Sequence, residues 1–236
     1  LEIAKRYQET GHPCNLTIMH AAGNGNNKDQ GIYDMTYEGL ITRYITGHFA
    51  NNSRMMDLTN ENKVAAYNFP QGVIAHMFRA AAAGKPGEIT RIGLNTFCDP
   101  RLQGGRLNDA ASENLVELVD ILGEEFLLYK VPKLDIGLIR GTTADEHGNI
   151  TMEEEGAPVD ALDVAMAVKA MGGKVIVQVK NYVSGASIDR SSVVIPGNLV
   201  DAVVVSENPL ENHRQTPGSY YNPVLSGHYK LDGVNF

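Results

Sequence analysis

The sequence predicts an α/β fold: an open, mainly parallel sheet with helices on both faces and a small β-hairpin insertion. Three observations lead there. Short apolar runs of strand length recur along the chain, as NLTIMH at 15–20, LDIGLIR at 134–140, KVIVQV at 174–179 and LVDAVVV at 199–205. Between them lie segments of helical period, and glycine or proline punctuates most junctions. The Val-Ile-Val centre of KVIVQV suits a strand covered on both faces, the usual situation in a parallel sheet.

In order, residues 1–10 read as the end of a helix stopped by Gly11 and Pro13. The strand at 15–20 runs into AAGNGNN at 21–27. That turn resembles the start of a phosphate-binding loop, but Gly23-Asn24-Gly25 lacks the third glycine and an immediate helix, which leaves an ordinary loop as the alternative. Residues 34–45 read as a short helix leading into a strand, with a lone His48 beyond it read as structural. Val64 to Asn68 is strand-like, and Pro70 opens a helix whose Val73, Ile74, Met77, Phe78 and Ala81 share one face until Gly84. Gln71 thus falls in a first helical turn after a strand, where main-chain N–H groups lack helical acceptors. Its amide either caps its own helix or donates to a substrate carbonyl.

The segment RIGLNTFCDPRLQGGRLND at 91–109 is rich in Gly, Asn, Asp, Pro and Arg, a composition that breaks regular structure. Gly104 and Gly105 either let a bulky substrate lie against the peptide or serve tight turns. Arg101 and Arg106 bracket them with guanidinium forks suited to carboxylate or phosphate. Residues 116–121 and 125–131 read as a hairpin around Leu122-Gly123-Glu124. In GTTADEHGN at 141–149, the Asp145-Glu146-His147 run reads as a turn closed by Gly148-Asn149 rather than a metal site, since adjacent side chains point different ways. Glu153 to Glu155 read as a solvated acidic run. An apolar helix at 159–171, KVIVQV, a short extended piece at 193–196 and a final strand complete the α/β pattern. From Glu207 onward the chain is polar, rich in Tyr and Pro and without period, as in a loosely packed tail or linker.

A formal net charge of −8 offers no basic excess to offset phosphates, which argues against nucleic acid as the main partner. No apolar run approaches the roughly 20 residues of a membrane span. Two distant cysteines without metal-ligand spacing, and no signal-peptide pattern, lead us to expect a reducing cytoplasm. The opening LEIAKRYQETGHP reads as a helix already under way, which suggests a trimmed start. The three Asn-x-Ser/Thr matches at Asn15, Asn51 and Asn149 read as chance in such a compartment.

Four segments in order carry a family resemblance: AYNFPQGVIAHMFRAAAAGKPG (66–87), GLNTFCDPRLQGGRLND (93–109), LIRGTTADEHGNITMEEEG (138–156) and VVIPGNLVDAVVV (193–205). Together they resemble the family I coenzyme A transferases, of the acetate, propionate and 3-oxoacid type. The resemblance implies a three-layer sandwich, with residues 1–206 as a first, N-terminal domain lacking its opening strand. It makes 207–236 a tail or linker toward a second catalytic domain. It further implies transfer of coenzyme A from an acyl-CoA to a short-chain carboxylic acid through a glutamyl-CoA thioester. No permanently bound cofactor is needed, and coenzyme A serves as substrate. The nucleophilic glutamate of the family belongs to the second half, so no catalytic residue is assigned in this chain. Implied substrate-binding residues are Gln71 and Gly72 in the Pro-Gln-Gly step, and Asn95, Thr96, Phe97, Gly104 and Gly105 in the 93–109 loop. Position 95 and the GHFANN piece at 47–52 depart from the family pattern. Implied partners are acyl-CoA, a carboxylic acid, a second domain or subunit, and other copies in a homo-oligomer. Two other readings remain: a non-catalytic acyl-CoA or partner-binding module of the same fold, and a sugar-phosphate isomerase or deaminase on a related sheet. The latter requires basic phosphate ligands beside a carboxylate base, a constellation not seen here.

Overall fold

The computed structural model describes residues 2–26, 30–184, 187–216 and 218–230. Its backbone divides into two compact units, residues 1–80 with 85–131, and 81–84 with 132–236.

The first unit opens with helix α1 (Glu2–Thr10), strand β1 (Leu16–His20) and strand β2 (Ile41–Thr46). Helix α2 (Ser53–Asn60), strand β3 (Ala65–Asn68) and helix α3 (Gln71–Ala82) follow. The three strands form a parallel sheet in the order β1-β2-β3, with Ile18 opposite Tyr44 and Tyr44 opposite Ala66. Leu40, Ile41, Tyr44, Met55 and Val64 are buried together, and Ile3 and Tyr7, one turn apart on α1, pack against them. Helix α2 was not foreseen from sequence. Its start is fixed by Asn52, whose side chain accepts the Met55 N–H at 3.0 Å.

Strands β4 (Gly87–Thr90), β5 (Val116–Ile121) and β6 (Glu124–Lys130) make an antiparallel sheet in the order β4-β6-β5. The expected hairpin is present, with a tighter turn than the sequence suggests. Ile121 pairs with Glu124, leaving only Leu122 (φ 58°) and Gly123 (φ 83°) in a two-residue turn with both φ values positive. Leu122 is 99% exposed there.

The second unit contains β7 (Ile136–Arg140), β8 (Thr143–Asp145), β9 (Ile150–Thr151), α4 (Ala161–Ala170) and β10 (Lys174–Val179). It continues with β11 (Asn181–Val183), β12 (Val193–Ile195), β13 (Ala202–Val205) and a short helix α5 (Pro209–Asn212). β13-β10-β7 is a parallel sheet, and β11-β8-β9-β12 is a mixed one. Val175, Val177 and Val179 alternate along β10 and join Ile139, Ile150, Ile195 and the α4 residues Ala165 and Val168 in one core.

The α/β class, the parallel strands flanked by helices and the hairpin insertion stand as expected. The number of sheets differs: among the described residues the parallel strands form two three-stranded sheets rather than one, with a further parallel pair, β8 and β11, in the mixed sheet. Periodicity shows that a strand is buried but not which neighbour completes its ladder, so this division is not readable from the chain alone. The short strands β4, β8, β9 and β11 were also missed, being too brief for a period to register.

The middle of the segment after Val205, around residues 212–222, is a second correction, whereas residues 227–230 are exposed. A loosely packed tail was expected, yet His213 is fully buried and Gln215 nearly so. Arg140 Nη1 donates to Arg214 O at 2.6 Å, Gln178 Nε2 to Asn212 O at 3.2 Å and Gln215 Nε2 to Glu154 O at 2.9 Å. Lys180, itself 2% exposed at its side chain, sits 4.5 Å from the ring centroid of Tyr220. Polar side chains and main-chain carbonyls hold this stretch, so it shows no apolar period.

Candidate functional site

Gln71 begins α3 directly after β3, and its side chain is exposed. Three neighbouring features at the carboxyl ends of β1, β2 and β3 give it that position. Gly47, the residue after β2, leaves the room: a Cβ there would lie 2.4 Å from Gln71 Cγ, 3.0 Å from Gln71 Cα and 2.8 Å from Ala21 O. Asn68 and Phe69 close the end of β2, their Nδ2 and main-chain N–H donating to Thr46 O at 2.9 and 3.2 Å. Gly72 is also exposed, and a Cβ at that position would meet nothing within 4 Å. The result is an open ledge with a neutral amide beside the first turn of a helix, where unpaired N–H groups confer a weak positive potential. Such a ledge suits a carbonyl or carboxylate oxygen.

The 93–109 loop is fastened to this same strand end. Asn68 N donates to Gly105 O at 2.8 Å, Leu107 N donates to Ala66 O at 3.0 Å, and Tyr67 and Arg106 form an isolated antiparallel bridge. Inside the loop, buried Asp99 is the hub. It accepts the N–H of Asn95 at 2.9 Å and of Arg101 at 3.0 Å, and both arms of the Arg101 guanidinium at 2.9 and 2.8 Å. The Arg101 contact, aided by the loop amides, holds the Asp99 carboxyl well below the usual carboxylate range. Asn95 has φ 60°, a conformation asparagine tolerates, and Phe97 is 40% exposed. Thr96 Oγ1 turns back onto Gly93 O at 2.8 Å.

Several expectations for this loop need correction. The Arg101 fork is not open to a ligand: besides Asp99 it grips Glu125 at 2.9 and 3.0 Å. Arg106 donates to Gln103 O and Asn114 Oδ1, and lines a cleft of about 570 Å³ together with Pro100, Asn114 and Val116. Gly105 is buried, and a Cβ at that position would lie 2.4 Å from the Phe69 ring, so its lack of a side chain serves packing against Phe69. Gly104 is buried with φ 63° and serves the turn. Of the residues singled out from sequence, Gln71, Gly72 and Phe97 are exposed. Asn95 and Thr96 stand on the strapped loop, and the two glycines belong to its packing. Asp99 and His20 escaped notice, and Gly47 entered only within the GHFANN piece at 47–52. The Asp-Pro pair at 99–100, a common turn opener, was the one available signal for Asp99.

In the second unit the 141–149 segment is the turn that the sequence suggested. Asp145 accepts the N–H of His147 and of Asn149 and the Asn149 side-chain amide. Among the described residues no group of three His, Cys, Asp or Glu side chains is placed to hold a metal ion. The acidic run at 153–155 is only in part a solvated face: exposed Glu153 accepts from Thr143 Oγ1 at 2.5 Å, and half-buried Glu154 from buried Lys180 at 2.7 Å. Glu155 takes the Arg140 fork and lies 3.4 Å from His213 Nε2. Burial pushes the Glu155 carboxyl up, but His213 and Arg140 outweigh it and keep the group below its ordinary value. Cys14 and Cys98 are free thiols. Among the described residues no helix is long and apolar enough to cross a membrane.

The chain is 45% identical over 228 residues to a caffeate CoA-transferase of Acetobacterium woodii, covering 97% of this chain and 43% of that protein. It is 43% identical over 230 residues to the acetate CoA-transferase YdiF of Escherichia coli O157:H7, covering 98% and 43%. The chain therefore spans less than half the length of these relatives. At 25% identity over 190 residues it also matches an acetoacetyl-CoA:acetate/butyrate CoA transferase alpha subunit of Clostridium acetobutylicum, covering 80% of this chain and 78% of that one. Among solved structures, the E. coli O157:H7 acyl-CoA transferase YdiF in a thioester complex with CoA superposes with a TM-score of 0.89 at 42% identity, over 99% of this chain and 47% of that one. The family described as coenzyme A transferase matches residues 2–206, and the chain belongs to that family.

Proposed function

We propose that this chain is the first half of an enzyme that transfers coenzyme A from an acyl-CoA to a short-chain carboxylic acid, and that Gln71 supports the reacting oxygen. In this reading a glutamate of the second half attacks the thioester carbonyl and expels coenzyme A thiolate, leaving an acyl-glutamyl anhydride. The thiolate then attacks the glutamyl carbonyl, releases the acyl group as its carboxylate and leaves a glutamyl-CoA thioester. The acceptor acid runs the same steps in reverse. Each tetrahedral stage places negative charge on one oxygen, and a fixed N–H donor there lowers the barrier. The second half is supplied in the same chain or as a separate subunit, as the relatives named alpha subunits suggest.

The single observation that carries this reading is the exposed amide of Gln71 on an open ledge at the ends of three parallel strands, cleared by Gly47. Gly72, Asn95, Thr96 and Phe97 are assigned to the acyl and coenzyme A wall around it. Glu154 and Glu155 fit the nucleophile poorly, since they are engaged by Lys180 and Arg140. In the full-length protein, Gln71→Ala should lower turnover of acetyl-CoA with propionate by roughly 100- to 1000-fold, the range for losing one oxyanion donor. Unchanged turnover would remove Gln71 from the mechanism.

A further inference from the structure

We propose that His20 is a positioning residue for Gln71, acting through one ring N–H that ties the loop after β1 to the end of β2. The proposal rests on the role given to Gln71 above and adds the device that holds it in place.

His20 is the last residue of β1. Its Nδ1 lies 2.5 Å from Ala22 O and 3.3 Å from Thr46 Oγ1. A carbonyl oxygen only accepts, so Nδ1 carries a hydrogen and donates. Thr46 Oγ1 is engaged on both sides by the next turn, accepting the His48 N–H at 3.3 Å and reaching His48 O at 3.5 Å. One N–H is thereby shared between the β1 loop and the side chain that ends β2. The ring itself is held from behind: Nε2 lies 2.6 Å from the hydroxyl of Tyr44, a 1% exposed core residue, and the two rings meet edge to face at 5.2 Å.

What this fixes is the carbonyl next door. Ala21 O accepts the Gly47 N–H at 3.1 Å, and Ala21 O and Gln71 both border the space where a Cβ at residue 47 would stand, at 2.8 and 2.4 Å. The path runs from Tyr44 through His20 to the Ala21–Ala22 turn, across Gly47 and onto Gln71. Every step is a hydrogen bond or a close packing contact. Without the Nδ1–H, the Ala21–Ala22 turn loses its tether to Thr46, Gly47 loses its fixed wall, and Gln71 has room to shift. A displacement on the order of 1 Å at a catalytic donor is enough to lower turnover by about 100-fold.

The test compares three substitutions in the full-length protein. Asparagine places an amide N–H as far from Cβ as His Nδ1, whereas glutamine places it one methylene too far. His20→Gln should lower kcat roughly 10- to 100-fold with KM for the acyl-CoA little changed, and His20→Asn should restore most of it. Tyr44→Phe, which removes only the hydroxyl behind the ring, should give a smaller loss in the same direction. In a Gln71→Ala background all three should change kcat by less than about twofold, because the donor they position is already gone. Equal losses in both backgrounds, or unchanged kcat in His20→Gln, would overturn the proposal. A crystal structure of the His20→Gln protein reads the same link without turnover: Gln71 should move relative to Asn68, and return in His20→Asn. A stationary Gln71 sinks the positioning role. A displaced Gln71 in a protein without transferase activity sinks the proposed reaction and leaves the positioning role standing.

Discussion

In the loop at 93–109 the anchoring acid belongs to the segment that it anchors, whereas after Val205 the anchors belong to strands β7 and β10 and to the turns that follow β9 and β10. Asp99 gathers the amides of Asn95 and Arg101 and the Arg101 guanidinium, all within seven positions of sequence. The later segment contributes mainly carbonyls, amides and His213, and is gripped by Arg140, Glu155, Gln178 and Lys180 from the body of its unit. Both stretches read alike as polar chain without period. The loop therefore forms its own rigid brace, while the later segment is held only as firmly as the surface under it. A closed local ring of contacts resists point changes outside the ring and fails at its hub.

The largest effect expected from this contrast is at Gly105. An alanine there must take a left-handed φ of 73° and also drive its methyl into the Phe69 ring, which should lower stability by about 3–4 kcal/mol in thermal unfolding of the complete protein. Gly104→Ala, with the same handedness but only Pro100 Cα nearby at 3.6 Å, should lose about 1 kcal/mol. Similar losses at both sites would show that Phe69 yields easily and that the loop is softer than its contacts imply.

Next in size is Asp99→Asn, expected to lose about 2–3 kcal/mol near neutral pH as charge-assisted bonds weaken. Its pH dependence sharpens the comparison. The Asp99 carboxyl is held below its ordinary value near 3.9, so its stabilisation is fully present above about pH 5 and disappears as pH falls through the lowered folded-state value. The gap between wild type and Asp99→Asn should close on acidification. A gap that stays constant down to about pH 2 would mean that the charge of Asp99 is not what holds the loop.

A smaller effect than at Asp99 is expected for Glu155→Gln, about 1–2 kcal/mol, because Arg140 is partly exposed and its half of the pair is screened. The informative readout there is local. Limited proteolysis after residue 206 should accelerate in the variant while the 93–109 loop stays resistant. Equal protection of both segments in Glu155→Gln would mean that the later segment has an anchor of its own.

How much of this was legible follows from the range over which each signal acts. The apolar face of α3, the Val-rich β10 and the hairpin at 116–131 rest on residues a few positions apart, and the structure contains each of them. The exposed start of α3 at Gln71 followed from the same local pattern. Asp99, Arg101 and the run at 153–155 were misjudged because a charged side chain looks the same in sequence whether water or a partner satisfies it. Glu155, in the turn after β9, meets Arg140 of β7 and His213 nearly sixty positions away, and nothing in the spacing announces that meeting. His20 was overlooked because its role depends on Tyr44 and Thr46, which parallel pairing brings alongside.

An uncharged side chain at the ledge has one more implication. An amide neither gains nor loses a proton between mild acid and mild alkali, so Gln71 imposes no bend of its own on a plot of rate against pH. In the proposed transfer reaction, any ionisation that such a plot reveals belongs to other groups or to the substrates.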